Sequence, residues 1–147
     1  MAGRRSGALG SAQAAVYAAE EATVGRCGQE WSTVRAAQAY LDALVGSGWF
    51  FDRWPHLVRA TIERRGNGAT WSTCQSLDAG GAGGRPSEGV ILLAGPVLAQ
   101  ATVLHELAHL LAPPDTGHGP AFTEILLELV RHEMGFYAFA DLRLALR

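Results

Sequence analysis

From Ser11 to about Val24 the chain, Ser-Ala-Gln-Ala-Ala-Val-Tyr-Ala-Ala-Glu-Glu-Ala-Thr-Val, is built of strong helix formers. Ser11 stands where an N-cap would and Gly25 follows, so a first helix is predicted. A second runs from Ser32 to Val45, because Val34, Ala37, Tyr40, Leu41 and Leu44 recur at helical spacing before Gly46 and Gly48 end it. After Trp54-Pro55 the texture changes. Leu57 to Arg64 and Ala69 to Leu77 read as two strands flanking Asn67-Gly68, a dipeptide that favours a hairpin turn. Gly80 to Gly89 reads as a mobile glycine-rich loop, and Val90-Ile91-Leu92-Leu93 as a short apolar strand. Pro96 suits the first turn of a helix continuing through Leu111, and Pro113-Pro114 forces that helix to stop. Asp115 to Gly119 forms a tight connection into a last helical region beginning near Pro120. The expected fold is α+β, a small, mostly antiparallel sheet packed with helices.

The length of 147 residues, 48% of them hydrophobic, suits one domain with a single core. That domain spans residues 1–147, with residues 1–10 expected to be a flexible lead-in. Its 12 basic residues, all arginine, and 14 acidic ones are scattered and leave a formal charge of -2. No basic tract asks for a nucleic-acid partner. Gln13, Glu20 and Glu21 interrupt the alanine-rich stretch, so neither a secretory leader nor a membrane span is expected, and the cytoplasm is the expected location. Cys27 and Cys74 lie far apart without a C-x-x-C partner, and read as free, buried thiols.

The chemistry concentrates at Val103-Leu104-His105-Glu106-Leu107-Ala108-His109, an H-E-x-x-H motif on the Pro96 helix. Residues four apart share a helix face about 6 Å apart along the axis, so both imidazoles converge on one cation at the roughly 2.0–2.1 Å of a zinc–nitrogen bond. Glu106, one step round the helix, falls beside the metal's open position as a general base. A third protein ligand would complete the site while leaving one position for water. His118 is the first candidate, brought back by the turn through Gly117 and Gly119, with Glu124 and Glu128 as rivals. The metal set is therefore His105, His109 and His118, the cofactor Zn2+, and the catalytic residue Glu106.

His105-Glu106-x-x-His109 followed by His118-Gly119-x-x-Phe122 resembles the SprT-like zinc metallopeptidases, in which such a pair of motifs supplies three ligands and the base. The chain is also similar to a family of small metallohydrolases of actinobacteria and their phages, through Val16-Tyr17-Ala18-Ala19-Glu20, Arg53-Trp54-Pro55, the metal motif, Gly117-His118-Gly119-Pro120 and Met134-Gly135. The resemblance implies a minimal zincin-like domain with the motif on its central helix, acting on a peptide or protein substrate. No four-cysteine zinc ribbon follows the motif, so the DNA-directed proteolysis of some SprT-like proteins is not implied.

Other polar residues compete for roles. His132 and Tyr137 are candidate oxyanion donors, His56 a weaker one, and Met134 fits a core position better than one beneath a metal. Trp31, Trp49, Trp54 and Trp71 read as packing aromatics. Within enzymes, hydrolysis of a small amide or ester competes with peptide cleavage. A non-catalytic, zinc-stabilised binding or regulatory module is the alternative from another class.

Overall fold

The computed structural model describes residues 10–66, 72–78 and 85–147. Asn67-Gly68, Trp71 and the first part of the glycine-rich stretch lie outside them.

The helices α1 (Ser11–Ala22), α2 (Val34–Val45) and α3 (Gly48–Arg53) come first, with a single 3-10 turn at Val24–Arg26 and a two-residue strand β1 (Glu30–Trp31) between α1 and α2. Strands β2 (Arg59–Arg64), β3 (Thr73–Ser76), β4 (Glu88–Leu93) and β5 (Leu98–Ala99) follow, then helices α4 (Gln100–Leu111), α5 (Pro120–Met134) and α6 (Phe136–Ala145). The class is α+β, as expected. Thr33 caps α2 by accepting from the Ala36 N–H at 3.1 Å. Gly10 precedes α1 without a side-chain cap.

The sheet departs from the expected hairpin. Its order is β2-β4-β3, with β4 parallel to β2 and antiparallel to β3. β2 and β3 are therefore not neighbours, because the long apolar strand β4, buried at most positions, takes the centre. The longer of the two pairings is parallel, so this sheet is mixed rather than mostly antiparallel. β1 and β5 form a separate antiparallel pair. Pro96 does not start α4. β5 intervenes, and α4 begins at Gln100, whose N–H donates to the Gln29 carbonyl at 2.9 Å.

One face of the three-stranded sheet carries the core. Ala60, Ile62, Ile91 and Leu93 are buried while the alternate positions Thr61, Glu63 and Leu92 are not. The outer edge of β2 is covered by a side chain of α2: Gln38 accepts from the Ile62 N–H at 2.6 Å and donates to the Ala60 carbonyl at 2.9 Å. That is one way to blunt an edge strand.

α4 lies close on the sheet because Gly89 has no side chain. A Cβ there would stand 2.6 Å from one methyl of Leu110 and 2.7 Å from the other, and Leu110 is itself buried. Gly89→Ala is therefore expected to destabilise the protein by about 1–3 kcal/mol through overpacking, read as a lower thermal midpoint in chelator-treated protein. An unchanged midpoint would mean that α4 can move off the sheet without cost.

Among the described residues, no helix is long and apolar enough to cross a membrane. Gly135, at φ 97°, separates α5 from α6, so the last helical region is two helices rather than one.

Candidate metal centre

Ten of the twelve residues of α4 are buried, and three of those ten are polar: Gln100, His105 and Glu106. A helix this enclosed must find partners for each of them. Gln100 accepts from the Gln29 N–H at 3.0 Å and donates to the Tyr40 hydroxyl at 2.9 Å. That hydroxyl donates in turn to Glu133 at 2.6 Å, which ties α4 to α2 and α5.

His105 and His109 stand on one face of α4, as their spacing requires. The helix ends at Ala112, before Pro113-Pro114, and the chain reverses through Asp115 at φ 67° and Gly117 at φ 56°. Thr116 donates to the Pro113 carbonyl at 2.9 Å and the Gly119 N–H to the Thr116 carbonyl at 3.0 Å. This turn carries His118 back over α4, and Pro120 then opens α5 at the position where a missing N–H costs nothing.

The three imidazoles meet through their Nε2 atoms. His118 Nε2 lies 3.1 Å from His109 Nε2 and 3.2 Å from His105 Nε2, and the three ligand atoms all fall within 4.8 Å of one another. Zinc–nitrogen bonds of about 2.05 Å at tetrahedral angles would place the nitrogens about 3.3 Å apart. Protons alone do not satisfy this cluster. Glu20 takes up His105 Nδ1, and a single proton on His118 Nε2 can serve only one of its two close neighbours. A cation serves all three.

Phe122, fully buried, is the hub of the rings. It stacks on His109 at 4.2 Å between centroids and makes T-shaped contacts with His105 and His118 at 5.0 and 4.9 Å. Burial, reinforced by His105 and then His118, lowers the His109 pKa to about 3. Burial and His105 lower that of His118 to about 4. Both rings are thus neutral near pH 7, the form that ligates.

Glu106 is also buried, with a carboxylate oxygen 3.9 Å from His105 Nε2. Burial pushes its carboxyl up to about 7, against the pull of His105 and with a further push from Glu20. Positive charge brought to the three Nε2 atoms would draw it back down. The Cys74 thiol on β3 feels the same surroundings, pushed up to about 12 by burial and then by the Glu106 charge. Protonated near pH 7, it is neither a ligand nor a nucleophile.

The remaining candidates are elsewhere. Glu128 pairs with Arg53 and links α5 to α3. Glu124 is exposed, and neither glutamate joins the histidine cluster. His132 stacks on Trp49 at 3.6 Å and bonds Glu133 at 2.8 Å. Tyr137 is 85% exposed. His56 buries an Nε2 that has no hydrogen-bond partner among the described residues. Met134 lies against Gly28, a packing position. Cys27 is exposed rather than buried, and Cys74 half-buried, both as free thiols.

Two residues of α1 were not anticipated. Glu20, 8% exposed, holds His105 Nδ1 at 2.8 Å from each of its oxygens, and Tyr17 stacks on the His105 ring at 5.0 Å and 9°. Nothing in the sequence separated Glu20 from its neighbour Glu21; only the fold buries Glu20 beside Val16 and Ala19, where a carboxylate requires a partner.

No family model, curated protein or solved structure matches the chain. What fold and site define is an α+β protein whose His105, His109 and His118 lie close enough to bind one metal ion.

Proposed function

We propose that the protein is a zinc-dependent hydrolase cleaving amide bonds, most naturally those of a peptide, with His105, His109 and His118 as metal ligands and Glu106 as general base. The observation that carries this reading is the convergence of three Nε2 atoms beside a buried carboxylate. Three neutral imidazoles suit zinc better than magnesium or calcium. Zinc bound by these three residues would leave a position for water, and the chemistry it would supply there is acidification of that water toward pKa 7 and polarisation of a carbonyl. Glu106 then accepts the proton from the attacking water and returns it to the leaving nitrogen. The α+β architecture, with the motif helix packed on the sheet, supports the zincin-like reading.

β3 supplies a place for an extended substrate. Among the described residues it pairs on one side only, with β4. The Leu77 N–H donates to the Glu88 carbonyl, which makes 77 and 88 a hydrogen-bonded pair and, by alternation, 75 and 90 as well. The backbone groups of Cys74 and Ser76 therefore point to the free side, where a peptide strand can add. His118 also walls an open groove of about 410 Å³ with Val16, Pro120 and Thr123.

The test is metal analysis joined to digestion. Protein purified without chelator is expected to carry close to one zinc per chain, and a casein or peptide-library digest to depend on that zinc. Absence of transition metal even after reconstitution would remove the proposal.

A further inference from the structure

We infer that Glu20 is a positioning residue of the metal centre, an inference that rests on reading the three histidines as a metal site. Its carboxylate holds His105 in the tautomer and orientation that present Nε2 to the cation. α1 contributes no ligand of its own. It nevertheless approaches the motif helix with a charged side chain and an aromatic face one helical turn apart, both directed at the same imidazole.

The geometry constrains the ring completely. A carboxylate accepts hydrogen bonds, so the 2.8 Å contacts of both Glu20 oxygens place a proton on His105 Nδ1, and in the ligating, neutral form of the ring that tautomer leaves Nε2 with its lone pair. Tyr17, nearly parallel to the ring, fixes its plane, and Phe122 makes a T-shaped contact with it. A carboxylate on the distal nitrogen of a metal-bound histidine also raises the basicity of the ligating one. A buried carboxylate opposite a single neutral ring is costly by itself. A cation on the far side of that ring makes the arrangement favourable, because the ring then transmits positive charge to the Nδ1–H.

Glu20→Gln keeps the size and an acceptor but removes the charge. Zinc affinity, measured by competition with a chromogenic chelator, is expected to fall about 10–100-fold. The visible spectrum of the cobalt-substituted protein is expected to shift as the donor strength of His105 changes. The thermal midpoint of chelator-treated protein should stay near wild type. Glu20→Asp, which retains the charge but withdraws it by one methylene, should also bind zinc more weakly.

Wild-type zinc affinity and an unchanged cobalt spectrum in a folded Gln or Asp variant would overturn the role of Glu20 and leave the three-histidine site standing. A loss of zinc affinity matched by an equal loss of stability in chelator, with the cobalt spectrum unchanged, would show a purely structural role and overturn it too. A wild-type protein that takes up neither zinc nor cobalt would overturn the metal site itself, and with it this inference.

Discussion

Glu106→Gln is expected to reduce peptide hydrolysis by about 10²–10⁴-fold, the usual contribution of a general base, while zinc content stays near one per chain. The amide fits the same buried space and keeps hydrogen-bonding capacity, but it cannot take the proton from the attacking water. Nor should folding suffer. Glu106 is buried beside α4's own histidines, and burial already disfavours its charged form, so a neutral replacement removes a desolvation cost. The measurement is a casein or peptide-library digest by zinc-loaded wild type and variant, with metal analysis and thermal midpoints alongside. A zinc-stabilised binding module predicts no such separation, because it has no turnover to lose. Full activity in the variant would remove Glu106 as base and send the search to other groups beside the cluster, among them Tyr17, which stacks on His105.

His118→Ala is expected to lose most of the bound zinc, more than the 10–100-fold that loss of an outer hydrogen bond produces. His118 is the proposed ligand whose position depends on a turn rather than on helix periodicity, and its Nε2 is the atom common to both short contacts of the cluster. Two imidazoles on one helix face would then have to hold the cation alone. His105→Ala and His109→Ala are expected to fall to a similar extent. Equilibrium dialysis against a zinc buffer reads the loss. Zinc held as tightly by His118→Ala as by wild type would show that the third ligand has been assigned wrongly, and Glu124, on the same groove, would be the first alternative to substitute.

Much of the site was legible because its signals are local. H-E-x-x-H spacing is a property of a single helix, and the Pro113-Pro114 stop with Gly117 and Gly119 around His118 is a property of a single turn. Both survive any rearrangement of the rest of the chain. α2, its end at Gly46, β4 and the proline start of α5 were legible for the same reason, since periodicity and capping act over a few residues. The aromatic at Phe122 belonged to the motif, although its role as a hub of the rings required their tertiary placement.

Other readings failed where the outcome depended on partners distant in sequence. Asn67-Gly68 is a sound hairpin signal, yet β4 contributes a more continuous apolar strand and takes the place between β2 and β3. Pro96 is a sound helix-start signal, yet pairing of Leu98 and Ala99 with Trp31 and Glu30 delays α4 to Gln100. Cys27 was expected to be buried and is exposed.

By itself, then, the sequence determined the α+β class, the convergence of His105, His109 and His118 and the place of Glu106 beside them, because helix geometry and proline and glycine stereochemistry convert spacing directly into direction. Tertiary structure decided the mixed sheet, the place of β3 at its edge among the described residues, the shared Nε2 focus and the Glu20 and Tyr17 contacts of His105. Those features need residues such as Glu20 and His105 to be brought together across the fold, and only the burial of apolar surface, summed over every element, selects which distant pairs meet.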